Sequence, residues 1–196
     1  MLTKKQQRTK RLFDISLAIL VLPFVIIPVL LLLLIATLVT GANGLFVQTR
    51  IGQFGKAFQL YKIRSLRGTS HRDIVAIKNS TTAFGRWLRN SKLDELPQLF
   101  NVLKGEMSWV GPRPDVPGYA DKLKGEDRVI LNLKPGITGP ATLKYKHEDA
   151  ILLQQKEPLQ YNDTVLWPDK VQINKAYIKN WSLKADVSYI LQSVFG

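Results

Sequence analysis

The sequence predicts a mostly helical α+β fold in which a membrane hairpin precedes a compact domain. Residues 15–49 carry no charge, and residues 17–39 are almost continuously Leu, Ile, Val, Ala and Phe. Two short apolar segments on either side of Gly52 and Gly55 then indicate a short β-hairpin. Two late segments alternate apolar and basic residues at helical intervals, which is typical of amphipathic helices. These features divide the chain into a membrane part, residues 1–44, and a folded domain, residues 45–196.

The composition excludes several classes of protein. The 196 residues contain no cysteine, which removes disulfides, thiolate zinc sites and cysteine nucleophiles. Lys and Arg number 28 against 15 acidic residues, and the resulting net charge of +13 attracts nucleic acid, anionic lipid or phosphorylated substrates. The apolar run favours a membrane setting, where each nearby Lys or Arg contributes about 1 kcal/mol of attraction to anionic lipid.

The apolar run is long enough to cross a bilayer, which takes about 20 residues. Basic residues nevertheless lie both before and after it: Lys4, Lys5, Arg8, Lys10 and Arg11, then Arg50, Lys56, Lys62, Arg64 and Arg67. The positive-inside tendency would keep both flanks in the cytoplasm, which a single span cannot satisfy. Since Pro23 and Pro28 each remove a backbone donor, we predict a re-entrant helix-break-helix that enters and leaves by the same face. One tilted span with proline kinks is the alternative.

Beyond the membrane part the pattern predicts short elements. Because of their prolines and glycines, the loops at 111–114 and 134–140 should lack regular structure. The last two helices should pack on the core or lie at the headgroup boundary, where Trp167, Trp181 and Phe195 would fit. The predicted extended segments are 45–48, 57–63 and 107–110, and the predicted helices are 79–90, 97–103, 169–181 and 183–195.

Two adjacent carboxylates, Asp94 and Glu95, precede Pro97 at a predicted helix start. The spacing of Ser91 and Asp94 fits a capping box, and on spacing alone this structural interpretation is favoured. The functional interpretation uses the free backbone donors of a helix start to bind phosphate, while a carboxylate attacks phosphorus or binds magnesium. Neighbouring helical residues point about 100° apart, so the two carboxylates would have different roles.

Arg113, between Pro112 and Pro114, is the second candidate. A guanidinium on a rigid loop can grip a diphosphate at two points, although a surface arginine in a turn is the simpler interpretation. His71 and His147 lack metal-ligand spacing and receive no catalytic role. The sequence contains no dinucleotide-binding fingerprint, Walker loop, zinc-protease helix or nucleophile elbow.

Several short segments carry a resemblance to a known family. They occur in the order KRLFD (10–14), QTRIG (48–52), YKIRS (61–65), LDELPQL (93–99), NVLKG (101–105), GPRP (111–114) and KPGITG (134–139). In this order and around an apolar helix, they resemble the bacterial sugar transferase family, the monotopic polyprenyl-phosphate phosphoglycosyl transferases, over nearly the whole chain.

The resemblance implies a reaction and a set of site residues. Asp94 would attack the diphosphate of a UDP-sugar, expel UMP and form a phosphosugar ester that polyprenyl (undecaprenyl) phosphate accepts. Asp94 and Glu95 would form the catalytic pair and the Mg²⁺ site. The resemblance further implies that the helix never reaches the far side of the bacterial inner membrane, so that catalysis takes place at the cytoplasmic face. Contacts to the substrate phosphates are expected from Arg89, Arg113, Lys62 and Arg64.

The chain departs from the family pattern where the membrane helix bends. A Ser-Pro pair is usual there, but Ile27 precedes Pro28, so the break must rely on Pro28, aided by Pro23. The expected partners are a UDP-sugar, polyprenyl phosphate and membrane lipids, without nucleic acid, and a homodimer is left open. Two rival functions remain: a membrane glycosyltransferase that releases UDP, and a non-enzymatic anchor carrying a basic nucleic-acid-binding module.

Overall fold

The computed structural model describes residues 1–68 and 80–196. It is mostly helical with two small two-stranded sheets, which confirms the predicted α+β class. The strands are β1 (Leu45–Ile51), β2 (Ala57–Ile63), β3 (Ser108–Val110) and β4 (Gly136–Thr138). The helices are α1 (Lys4–Thr40), α2 (Ala83–Asn90), α3 (Gln98–Lys104), α4 (Pro140–Lys144), α5 (Glu148–Leu153), α6 (Pro158–Tyr161), α7 (Trp167–Lys179) and α8 (Leu183–Phe195).

Helix α1 begins at a capping box and ends at a glycine. Gln6 N donates to Thr3 Oγ1 over 3.2 Å, and Thr3 N donates to Gln6 Oε1 over 2.8 Å. At the other end Gly41, with a left-handed φ of 71°, donates its N–H to Thr37 O. These contacts satisfy terminal backbone groups that the helix itself leaves without partners.

The predicted break within α1 is not seen, because the helix continues through Pro23 and Pro28. A proline deletes one backbone hydrogen bond without removing the turn, so a helix can accommodate it. Within the described residues, α1 is the one helix long and apolar enough to cross a membrane, and only 17 % of its most apolar window is buried. A core helix of a soluble protein would be mostly buried. The re-entrant path stays a prediction.

The residue contacts divide the chain into two units. The first unit comprises residues 1–14, 49–58 and 105–196, and the second comprises residues 15–48 and 59–104. Helix α1 and both strands of the β1–β2 hairpin contribute residues to each unit. These units follow contacts within the fold, and the predicted division at residues 44 and 45 stays a prediction.

The first unit has an apolar core built on α7. Val171, Tyr177 and Ile178 from α7 pack with Val110 of β3 and with Leu133. The partly buried Trp167 and Trp181 lie against this core. Helix α7 therefore packs on the domain, which is one of the two predicted placements. Helix α8 adds Tyr189 and Ile190 to the core, while its end is open, with Phe195 83 % exposed.

The loop at 134–140 is more regular than its composition predicts. Residues Gly136–Thr138 form β4, which pairs in parallel with β3 so that Ser108 lies opposite Gly136 and Val110 opposite Thr138. A Cβ at Gly136 would collide with Gly111 N, and one at Gly139 would collide with Gly111 O. The prediction of an irregular loop was wrong, because here the glycines allow two backbones to approach closely.

The second unit has a smaller core. Leu32 and Ala36 of α1 pack with Ile63 of β2 and Leu88 of α2. The predicted hairpin is confirmed, with β1 extending to Ile51. Helix α2 begins at Ala83, after the cap formed when Gly85 N donates to Thr82 Oγ1, and the predicted start at residue 79 lies outside the described residues.

Candidate active site

The acidic pair lies in a tight connection between α2 and α3. Helix α2 ends at Asn90, Lys92 follows with a left-handed φ of 59°, and Leu93–Glu95 form a 3₁₀ turn before α3. A left-handed conformation is uncommon for a residue other than glycine and is typical of constrained functional sites. This short turn places the carboxylates one turn before α3.

The predicted capping box at Ser91 and Asp94 is wrong. Ser91 Oγ donates to Trp87 O over 2.8 Å and to Leu88 O over 3.1 Å, so this hydroxyl terminates α2. The N-cap position of the 3₁₀ turn belongs to Lys92, whose side chain makes no capping bond. The spacing matched a helix start, but the preceding helix runs to Asn90 and uses the serine at its own end. A capping box therefore does not explain the acidic pair.

Asp94 and Glu95 share one cation. Lys62 Nζ lies 3.0 Å from Glu95 Oε1 and 4.0 Å from Asp94 Oδ2. Asp94 is only 7 % exposed. Since β2 carries Lys62, the hairpin strand and the 3₁₀ turn together create a partly buried cluster of one ammonium and two carboxylates.

The pKa of Asp94 is raised above its usual range. Burial is the main cause, and the adjacent charge of Glu95 acts in the same direction. Lys62, Arg89 and Lys92 oppose this shift by stabilising the ionised form. Poor hydration makes a carboxylate a stronger nucleophile than one in water, and the neighbouring cations attract a phosphorylated ligand to it.

The predicted phosphate-binding residues differ in the contacts that they make. Lys62 contacts the acidic pair, and Arg89, in the last turn of α2, acts electrostatically on Asp94. Arg64 instead donates from Nε to Asn43 O over 2.6 Å and lies 5.5 Å from the centre of the Phe46 ring. These contacts hold the loop after α1, and a role for Arg64 in phosphate binding stays a prediction.

Arg113 belongs to the first unit, outside the unit that holds the acidic pair. It is exposed between two buried prolines, Pro112 and Pro114. Gly136 N donates to Pro112 O over 2.8 Å, and Arg50 Nη1 donates to Pro114 O over 3.1 Å. The loop is therefore fixed from two sides while the guanidinium faces solvent.

Sequence reasoning missed the charged residues around this loop. Burial raises the pKa of Asp115 to about 6, opposed by Lys170, Arg113 and Arg50, while Glu148 raises it further. Arg50 lies in the QTRIG segment and Asp115 directly follows GPRP, so their positions beside recognisable motifs were the available signal.

The acidic pair is chemically suited to magnesium. Among residues 1–68 and 80–196, no group of three or more His, Cys, Asp or Glu side chains is arranged to hold a metal ion. Mg²⁺ is usually held by one or two carboxylates together with substrate phosphates and water, so a complete protein cage is not required. The hard oxygen donors of Asp94 and Glu95 fit this arrangement. His147 is described at the start of α5, whereas His71 lies outside the described residues.

Comparison with known proteins decides the family. Residues 5–196 match the family described as "Bacterial sugar transferase". The chain belongs to the bacterial sugar transferase family. Within it, the chain is 33 % identical over 189 residues to the uncharacterised sugar transferase EpsL of Bacillus subtilis, covering 94 % of this chain and 85 % of the relative.

Two larger members of the family carry names that state a reaction. The undecaprenyl-phosphate galactose phosphotransferase of Salmonella typhimurium is 31 % identical over 212 residues, which cover 98 % of this chain and 41 % of the relative. The UDP-glucose:undecaprenyl-phosphate glucose-1-phosphate transferase of Klebsiella pneumoniae is 34 % identical over 194 residues, covering 95 % and 39 %. This chain therefore spans less than half the length of either protein.

Proposed function

We propose that the protein is a phosphoglycosyl transferase, which moves a sugar 1-phosphate from a UDP-sugar to polyprenyl phosphate and releases UMP. The observation that carries the proposal is the partly buried cluster of Asp94, Glu95 and Lys62, in a chain that belongs to the sugar transferase family. The names of the Salmonella and Klebsiella relatives, which include undecaprenyl phosphate, support the acceptor.

The transfer has two balanced steps. In the first, an oxygen of Asp94 attacks the phosphorus that bears the sugar, the bond from that phosphorus to the bridging oxygen breaks, and UMP leaves with the bonding electrons. In the second, an oxygen of polyprenyl phosphate attacks the aspartyl phosphosugar, and the Asp94 carboxylate leaves. A covalent intermediate of this kind replaces one direct transfer between two large substrates with two simpler displacements. Neither step requires a proton to be moved.

The other site residues receive roles that suit the chemistry of their side chains. Lys62 and Arg89 offset negative charge near Asp94 and bind the substrate phosphates. Arg113, presented by a rigid loop, contributes a two-point contact to phosphate. Asp94 and Glu95 would hold Mg²⁺, which offsets the negative charge of the diphosphate when bound.

The apolar helix supports a membrane location for this chemistry. Exposed side chains along α1, such as Phe24 at 76 % and Leu38 at 75 %, suit contact with lipid. A re-entrant path would keep both basic flanks at the cytoplasmic face of the bacterial plasma membrane, where nucleotide sugars are available. The product would initiate a lipid-linked glycan such as a capsule, O-antigen, exopolysaccharide or glycoprotein glycan.

Mass spectrometry tests the covalent step directly. Enzyme incubated with a panel of UDP-sugars and Mg²⁺, but without acceptor, is expected to release UMP and to gain one phosphosugar on the peptide that contains Asp94. Asp94→Asn should remain folded and form no adduct, while Glu95→Gln should form it slowly and with weaker dependence on metal.

The competing outcomes are distinct. Release of UDP would make the protein a plain glycosyltransferase, and an adduct on Glu95 would exchange the roles of the two carboxylates. Salt-sensitive binding to random duplex DNA, without turnover of any nucleotide sugar, would favour the nucleic-acid-binding anchor.

A further inference from the structure

Asn101 makes an unusual contact with a strand. This α3 residue is 0 % exposed. Its Oδ1 accepts a hydrogen bond from Tyr61 N over 3.2 Å, and its Nδ2 donates to Gln59 O over 2.7 Å. The side-chain amide thus pairs with one N–H and one C=O of β2, as the backbone of a neighbouring strand would.

The two segments joined by this amide are those that form the ion cluster. On β2, Lys62 directly follows Tyr61. On the other side, α3 follows the 3₁₀ turn that carries Asp94 and Glu95. The contact between Asn101 and β2 therefore fixes the strand that presents the ammonium against the helix whose entry presents the carboxylates.

Apolar packing alone would fix this arrangement less well. Leu60 and Ile63 of β2 are 2 % and 1 % exposed, and their burial favours contact with the core without specifying direction. A buried amide whose donor and acceptor are both used has one position in which both bonds form, and a shift along the strand leaves buried polar groups unsatisfied. Since the lysine stem is flexible, the backbone position of Lys62 has to be specified in this way.

We propose that Asn101 is a positioning residue, which sets the place of the Lys62 ammonium between the carboxylates of Asp94 and Glu95. It touches none of the reacting atoms and acts through β2. Its consequence for the reaction rests on the proposed function, whereas its effect on the ion cluster does not.

Zero-length cross-linking reports on the cluster without any substrate. A water-soluble carbodiimide joins a lysine to a carboxylate in direct contact, so the full-length protein should yield a Lys62–Glu95 cross-linked peptide. The exposed pair of Lys144 and Asp169, 2.7 Å apart in the first unit, provides an internal reference in the same digest. The ratio of the two cross-links is compared between wild type and variants.

Asn101→Ala removes the amide, and Val102→Ala is its matched control. Val102 is the next residue on α3, is also 0 % exposed, and loses only apolar contacts on substitution. Asn101→Ala is expected to lower the cross-link ratio about tenfold, because small misplacements of paired groups are strongly penalised. Val102→Ala should lose as much thermal stability as Asn101→Ala but keep the wild-type cross-link ratio. Equal cross-link ratios in all three proteins, or equal falls of the cross-link ratio in both variants, would overturn the proposal. If Asn101→Ala does not fold, Asn101→Ser replaces it, with the same expectation in direction.

The rate of adduct formation supplies a second measurement. A displaced Lys62 ammonium no longer offsets charge beside Asp94, so the rate constant at saturating UDP-sugar should fall about tenfold in Asn101→Ala and stay near the wild-type value in Val102→Ala. An unchanged rate constant in Asn101→Ala contradicts the proposal. A wild-type protein that forms no adduct would instead contradict the proposed function, and the cross-link ratio would still test the role of Asn101.

Discussion

Asp94 is held in a position that disfavours its charge. It is 7 % exposed, and the Lys62 ammonium lies 4.0 Å from its carboxylate and 3.0 Å from that of Glu95. A buried, ionised carboxylate has a higher free energy than one in water, and this makes it more reactive toward phosphorus. In the proposed mechanism, the protein gives up stability at this residue to keep a nucleophile available.

Asp94→Asn should therefore stabilise the protein at neutral pH. Burial raises the pKa of Asp94 in the folded state, so ionisation of this group costs stability as the pH rises above the usual aspartate range. The variant should unfold about 2–4 °C higher than wild type near pH 7, as expected for about 1 kcal/mol in a chain of this size. The difference should shrink as the pH falls toward about 4 and should be absent below it, where the carboxyl is protonated in both the folded and the unfolded state. Thermal unfolding followed by circular dichroism measures both effects.

Asp169→Asn is the control for this experiment, and its sign is opposite. Hydrogen bonds from Lys144 and Tyr145 lower the pKa of Asp169 in the folded state. Its contribution to stability is present above the unfolded-state pKa and is lost as the pH falls. The exposed pair contributes little, so the variant should be equally or slightly less stable near pH 7. If Asp169→Asn were also stabilised, the higher unfolding temperature of Asp94→Asn would be explained by the asparagine itself rather than by removal of a buried charge.

Arg113→Lys should lower kcat/KM by about 10- to 100-fold, because an ammonium cannot reproduce a planar two-point contact with phosphate. Arg128→Lys is the matched control, since Arg128 is an exposed arginine of the same unit. Steady-state release of UMP measures both variants. Near-normal kinetics in Arg113→Lys would contradict a role in phosphate binding and favour the simpler interpretation of Arg113 as a surface arginine in a turn.

Residue-level prediction succeeded for motifs and failed where the same spacing fits two helix ends. The acidic pair was singled out from its sequence, and the structure places it in a partly buried cluster with Lys62. The capping box, however, was assigned to Ser91 and missed at Thr3 and Gln6, where the pattern is satisfied. Spacing alone does not say on which side of a serine the helix lies, and only the end of α2 decides it.

At the scale of elements, α1 offers a direct test of topology. The chain has no cysteine, so single cysteines at Lys4 and Lys56, both exposed, provide unique labelling sites on either side of the apolar run. Both should react with a membrane-impermeant maleimide only after the cytoplasmic face is opened, since both flanks are basic. Labelling of the Lys4 site in intact cells would establish a full span.

Helices and the hairpin could be predicted because their signals are local. Apolar periodicity located α7 and α8, and two glycines located the turn between β1 and β2. Strand β4 could not be predicted in this way, because its partner β3 is distant in sequence and its three residues, which begin with a glycine, are too few to show an alternating pattern. Likewise, the contact of Asn101 with β2 depends on a side chain replacing a strand partner, for which no periodic pattern exists.

At the scale of the whole molecule, the charge of +13 should govern how the donor binds. A positive surface attracts a nucleotide diphosphate, and salt shortens the range of this attraction. The Debye length falls from about 30 Å at 0.01 M to about 8 Å at 0.15 M ionic strength. The KM for the UDP-sugar should therefore rise several-fold across this range while kcat changes little. Kinetics in vesicles of neutral lipid exclude a contribution from anionic headgroups, and a salt-independent KM would contradict a role for the overall field.

The close approach of β3 and β4 also limits how the protein can evolve. At Gly111, Gly136 and Gly139, any replacement adds a Cβ that would collide with backbone atoms. A colliding side chain can rotate away, but a colliding backbone atom moves only with its whole strand. No series of individually neutral substitutions can therefore pass through these positions. The exposed residues around these glycines are free to vary during evolution. The conformation of the loop that presents Arg113, in contrast, depends on keeping all three glycines.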